Sequence, residues 1–255
     1  MILRRLVQSL KQQHWTGVFI ELVIVVLGVF IGMQVSNWNA DRGDRAAEIG
    51  YLSGLKEDVD YSSGTLQRFI RSLEAQQTAR ARLYDFATDP KSTLAPAERD
   101  RLVLVSLFEL PQLDISQVTF ETLKSSGRLA AIRSPELLSE LQSLSANVAT
   151  ALRDQADEVQ TTYLFSDPLL VANVDMAGVF RQTNRSGNPN IPWLKDGPDV
   201  APTPEIMKSR QFANVLLYRS FFTNLRLLNA RNMIEQHRRI AALIKARQRE
   251  LGVTP

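Results

Sequence analysis

The run from Thr16 to Trp38 constrains this chain more than any other feature. It is almost continuously apolar, and Glu21 is its only charged residue. A helix of this length, at about 1.5 Å per residue, extends roughly 35 Å and crosses a hydrocarbon core of about 30 Å. Trp15 and Trp38 bracket it, as aromatic side chains do at membrane interfaces. Arg4, Arg5 and Lys11 precede the run, whereas Asp41, Arg42, Asp44, Arg45 and Glu48 beyond it are mixed in sign. The basic excess on the N-terminal side predicts a cytoplasmic N-terminus. The expected organisation is a cytoplasmic segment over 1–15, a transmembrane anchor over 16–38 and a periplasmic domain over 39–255, in a bacterial inner membrane. A cleaved signal peptide is the rival reading. It calls for a shorter apolar region and a small-x-small site, but the run continues into Gln34-Val35-Ser36-Asn37-Trp38-Asn39.

Gly17, Glu21, Gly28 and Gly32 are spaced by four, seven and four residues. At 100° per residue they share a sector of about 60° on the helix. Gly28 and Gly32 form a small-xxx-small pair that lets a second helix approach closely. A carboxylate at position 21 is costly against lipid, so it calls for protein, water or a proton. His14 falls on the same face. The spacing predicts a packing face for another membrane helix, either a second protein or a second copy.

Past the anchor the pattern is helical. Residues 46–88 carry Leu52, Leu55, Val59, Leu66, Phe69, Ile70, Leu73 and Tyr84, mostly at steps of three, four and seven, until Asp89-Pro90 stops the helix. Pro96 opens a helix that ends at Pro111. Thr119 to Ser126 form a short helix closed by Gly127 in the left-handed region. Ser134-Pro135-Glu136 supplies an N-cap, a first-turn proline and an early acid for an apolar stripe reaching about residue 165. Gly187, Gly197 and the prolines between 189 and 204 mark 166–204 as a long loop near the C-terminal half. A final helix runs from about Pro204 to Glu250. The expected fold is mainly α: one transmembrane helix followed by an extramembrane helical bundle.

Charge is unevenly spread. The 205–250 stretch holds ten Lys or Arg against three Glu, a difference of +7, while the whole chain has a net charge of only +3. One reading is contact with an anionic surface. The other is a helix paired with acidic helices of the same domain, which the balance favours. The extracytoplasmic placement argues against nucleic acid, and no nucleic-acid motif is present.

Several chemistries are excluded. The chain has no cysteine, so disulfides, thiolate metal sites and cysteine nucleophiles are absent. Two histidines cannot build a multi-imidazole centre. There is no dinucleotide fingerprint, P-loop, nucleophile elbow or His-Glu-x-x-His. Lys124-Ser125-Ser126-Gly127 invites a Ser–Lys nucleophile. A polar helix end with glycine at its turn explains it more simply, and it is carried forward as a turn or interaction motif. Glu57, Asp58 and Asp60 are expected on the wet face of their helix. No catalytic, cofactor-binding or metal-binding residue is assigned, and whether the chain is an enzyme stays open.

Three stretches resemble a family of uncharacterised bacterial proteins with one N-terminal span. They are the Gly17–Asn39 sequence with its Glu21, Gly28, Gly32, Gln34 and Asn37-Trp38-Asn39; the Glu48–Asp58 stretch with Tyr51, Leu52 and Leu55; and Thr119–Leu129 with Phe120, Glu121, Leu123 and Gly127, followed by Ile132. Ser36 stands where that family usually has Asn. The resemblance implies the same topology and a helical ectodomain, and it transfers no activity. The expected function is that of a non-enzymatic interaction or accessory protein. A ligand-binding or sensor ectodomain, with 166–204 shaping a pocket, is the alternative, and a periplasmic hydrolase ranks third. The short N-terminal segment is too small to hold a kinase or cyclase.

Overall fold

The computed structural model describes residues 15–187 and 191–253, with the backbone alone for 15–18 and 21. The chain divides into two units, Met1–Tyr51 and Leu52–Pro255. Helix α1, Trp15–Thr88, supplies the described part of the first unit and opens the second. No strand occurs among the described residues.

In the first unit, α1 is long and apolar enough to cross a membrane, and none of its apolar stretch is buried within the structure. Beyond the backbone of the helix itself, no atom of the described residues comes within 4 Å of where a Cβ at position 28 or 32 would stand. The Arg42 guanidinium lies over the Trp38 ring, 4.9 Å from its centroid, a favourable cation–π geometry.

In the second unit, α1 turns its apolar stripe inward. Leu52, Leu55, Leu66, Leu73 and Leu83 are completely or almost completely buried, and burying each such side chain contributes about 1.5–3 kcal/mol. Ile70 and Tyr84, expected on the same stripe, are half-buried. The helix ends at Thr88, and the Asp89 carboxylate accepts from the Lys91 amide at 2.8 Å, turning the chain.

Helix α2, Pro96–Val103, starts on its proline and runs into a π-helical turn, Leu104–Phe108. Helix α3, Val118–Ser125, ends at Gly127. The Arg128 amide donates to the Leu123 carbonyl at 2.8 Å, and Gly127 has φ +69°. That is a Schellman closure, which requires positive φ and so favours glycine. Gly54 serves a different purpose. A Cβ there would stand 2.7 Å from Thr119 Oγ1, so its absence lets the start of α3 press against α1.

Helix α4, Pro135–Thr161, is capped by Ser134, whose hydroxyl accepts from the Leu137 amide at 3.2 Å. It continues through a second π-turn, Thr162–Ser166, into α5, Asp167–Asn173. Helix α6, Met176–Arg185, is capped by the Asp175 carboxylate accepting from the Ala177 amide. The last helix, α7, Arg210–Glu250, begins on the Ser209 cap after a 3₁₀ turn over Glu205–Lys208, six residues later than expected.

The expected loop at 166–204 is therefore corrected: its first half is helical. Pro168 sits in the first turn of α5, directly after the π-turn Thr162–Ser166, and the helical run passes through it without breaking. Asp175 then caps a short amphipathic segment, and Leu170, Val174 and Val179 enter the core. The irregular part begins at Ser186. It is tied down: Arg185 pairs with Asp196 at 2.7 Å and with Asp199, and Asn184 donates to the carbonyls of Ile191 and Leu194.

Long-range contacts set the topology. Arg226 meets Glu158, Asn229 meets Asp154 and Gln236 meets Glu140, so α7 runs antiparallel to α4. Lys208 donates to the Phe86 carbonyl, Gln77 to Asn224, and Arg231 pairs with Glu74, so α7 is antiparallel to the 52–88 part of α1 as well. One core joins Leu83, Phe86, Leu107, Val179, Met207 and Phe212.

Candidate functional site

The most unusual part of the helical domain is its interior. Arg80 of α1, Arg219 and Arg226 of α7 and Glu158 of α4 are all buried together. Ion pairs join Glu158 to Arg226 Nη1 at 2.5 Å and to Arg219 Nη2 at 3.6 Å. Arg80 has no carboxylate. It donates instead to the Ser106 carbonyl at 2.8 Å, to Gln76 Oε1 at 3.0 Å, to the Arg219 carbonyl at 3.3 Å and to the Thr223 hydroxyl. Arg226 also donates to the Pro111 carbonyl and to Gln155, and lies 5.0 Å from the Phe69 ring centroid.

Three guanidiniums around one carboxylate make this interior electropositive. Burial, reinforced by the neighbouring Arg219 charge, pulls Arg80 down to about 9. Burial also lowers Arg219 and raises Asp167 at the edge of the group. Breaking such a pair strands a charge in a poorly solvated interior, which costs far more than the pair's own net attraction. The centre is a pin that joins three helices and the Ser106–Pro111 turn. It accounts for two of the seven excess positive charges on α7, and Arg231 and Arg239 pair with Glu74 and Glu140. Intramolecular pairing, the favoured reading of this basic helix, is what the geometry contains for these four arginines. Two of the four are buried, where a solvated face was expected.

The residues expected to matter separate clearly. Gly28 and Gly32 stand open on α1. Gly17 is described by backbone alone, and the Glu21 side chain and His14 lie outside the described residues. Lys124, Ser125 and Ser126 are exposed. Lys124 lies 3.4 Å from Glu121, and Ser125 and Ser126 both donate to the Thr122 carbonyl. The motif is thus a helix end whose hydroxyls are turned onto their own backbone. Asp58 is a correction. Expected on the wet face, it reaches across to accept from the Thr119 amide at 2.8 Å and from the Ser116 hydroxyl. It fills the cap of α3, whose own N-cap residue, Gln117, contributes no side-chain bond. Asp60 remains on the surface with Lys56.

A cleft of about 440 Å³ opens between α2 with its π-turn and α6, within the size range of small-molecule sites. Leu104, Val105, Phe108 and Phe180 form its apolar wall, and the two phenyl rings are 5.8 Å apart. Arg101 and Glu109 supply polar groups. The surrounding protein desolvates Glu109 and pushes its carboxyl above the ordinary value. These residues were not anticipated. The only available signal was that Arg101, Val105 and Glu109 recur every four residues on one helix face.

A set of large apolar side chains also faces outward. The π-turn of α4 exposes Tyr163, Leu164 and Phe165 in succession, and α7 exposes Leu217, Phe221 and Leu228 on the side away from its buried arginines. The 217, 221 and 228 positions fall within about 40° of one another on the helix. Among the described residues no cluster of His, Asp and Glu can hold a metal ion. Comparisons of the chain with family models, curated proteins and solved structures give no match.

Proposed function

We propose that this chain is a single-pass protein of a bacterial inner membrane. Its N-terminus is cytoplasmic, its helical domain is periplasmic, and it serves as a non-enzymatic interaction or accessory partner. The observation that carries this reading is the apolar half of α1. Its large side chains from Phe19 to Val35 are exposed among the described residues, and Gly28 and Gly32 leave a bare strip along it. Lipid suits the side chains and a close second helix suits the strip. The outward apolar residues of α4 and α7 add a candidate contact surface outside the span. The resemblance to single-span bacterial proteins agrees with this topology. The tied-down hydroxyls of Ser125 and Ser126 give a hydrolase no support.

The test is mild-detergent purification of the tagged full chain from native membranes, with mass spectrometry and size analysis. The expected result is a reproducible membrane partner or homo-oligomer that is lost on Gly28→Leu or Glu21→Ala. Unchanged association in both variants would contradict the in-membrane part of the reading. The cleft between α2 and α6 favours a second reading, a ligand-binding ectodomain. Residues 180–186 form one of its walls, and they belong to the stretch expected to shape a pocket.

A further inference from the structure

We infer that the cleft between α2 and α6 takes a small zwitterion with an apolar side group, the chemistry shared by a free amino acid and a short peptide. The inference rests on the ligand-binding reading and goes beyond it by naming the ligand class. Its basis is what the cleft leaves unmatched. Arg101 and Glu109 both line it, and neither has an ion-pair partner among the described residues. Thr183 lines the facing wall and is 8 % exposed, with its hydroxyl closed off from the cleft.

The charges select among ligands. Arg101 and Glu109 are eight residues apart, about 12 Å along the helix axis, so they mark opposite ends of one wall. An anion alone leaves the partly desolvated Glu109 carboxylate unpaired. A cation alone leaves the Arg101 guanidinium unpaired. A zwitterion sets its carboxylate against Arg101 and its ammonium against Glu109, both charge-assisted contacts. Phe108 and Phe180, 5.8 Å apart, then offer their faces to an apolar side group. The π-turn over Leu104–Phe108 forms part of this wall, and such turns recur at functional sites.

The experiment is thermal unfolding of the full chain in detergent micelles. The probes are L-phenylalanine, L-leucine, the dipeptide Phe-Leu and the tripeptide Leu-Phe-Leu, each compared with its N-acetyl and C-amide forms. Phenylacetate, benzylamine and benzyl alcohol serve as anionic, cationic and neutral controls. The expected result is a saturable rise in Tm with zwitterionic probes, and the single amino acids against the peptides decide the ligand's length. Both Arg101→Gln and Glu109→Gln weaken binding at least about tenfold. N-acetylation has no further effect in the Glu109 variant, and C-amidation none in the Arg101 variant. Arg101 and Glu109 are on the surface, so unliganded Tm values near that of the parent confirm intact folding. A rise with phenylacetate, benzylamine or benzyl alcohol equal to that with L-phenylalanine overturns the zwitterion while keeping a ligand site. No rise with any probe at about 10 mM overturns both. A rise undiminished in the two variants overturns the placement of the site.

Discussion

Leu27 and Phe30, in the most apolar stretch of the chain, are more than half exposed, whereas Arg80 and Arg219, inside the helical domain, are at most 1 % exposed. The two regions answer to different surroundings. Among the described residues none of the apolar stretch around Leu27 is buried, so those side chains are suited to a solvent other than water. Around Arg80 each of the three guanidinium nitrogens finds a carbonyl, an amide or a hydroxyl, so a charge that ordinarily belongs in water is held dry. Arg219, whose three guanidinium nitrogens make no hydrogen bond, is held by its 3.6 Å ion pair with Glu158 instead. Polarity alone therefore does not say which side chain is buried.

The interior should be the more fragile of the two regions. Glu158→Gln removes the one carboxylate shared by Arg219 and Arg226, and the loss is expected to be about 3–5 kcal/mol. For a domain of this size that lowers Tm by roughly 10 °C, measurable by circular dichroism on the full chain in detergent. An unchanged Tm would show that the arginines satisfy each other's surroundings without it. Gly127→Ala tests a smaller element. Its φ of +69° is strained for alanine, and a cost of about 1 kcal/mol is expected in the same assay.

His237 supplies a pH test of the interior. Burial holds its imidazole below the ordinary value, with its Nδ1 2.7 Å from the Met233 carbonyl. The unfolded chain then takes up the proton first. The stability that His237 contributes is full above about 6.5 and falls as pH drops through that value towards the lower folded one. Tm measured from pH 7.5 to 5.5 should decline by less in His237→Gln. The smallest effect is expected at the surface: Lys124→Ala should change stability by less than about 0.5 kcal/mol, because its pair with Glu121 is exposed.

Much of the helical framework was legible because its signals are local. The stop at Asp89-Pro90, the Ser134 cap and the Gly127 turn each need only a few neighbouring residues. The arginine centre was not legible. Arg80 meets Thr223 across 143 positions and Arg226 meets Glu158 across 68, so nothing beside any of them in sequence tells which charges go inside. The helices at 167–185 were hidden for another reason. A proline that a helix accommodates and one that breaks it look alike until the next apolar residues find a core, as Leu170 and Val179 do here. The cleft joins two walls about eighty residues apart in sequence, and only the folded domain brings Arg101 and Thr183 to the same place.

The solvent around the Phe19–Trp38 stretch decides the topology, and alkaline carbonate extraction of native membranes carrying the full chain tests it directly. The chain is expected to stay in the membrane pellet. Leu27→Arg, which places a charge near the middle of the span at a cost of about 2.5–3.5 kcal/mol, should move a measurable share of it to the supernatant. Release of the parent chain by carbonate would contradict the anchor and require a protein partner to cover that surface instead.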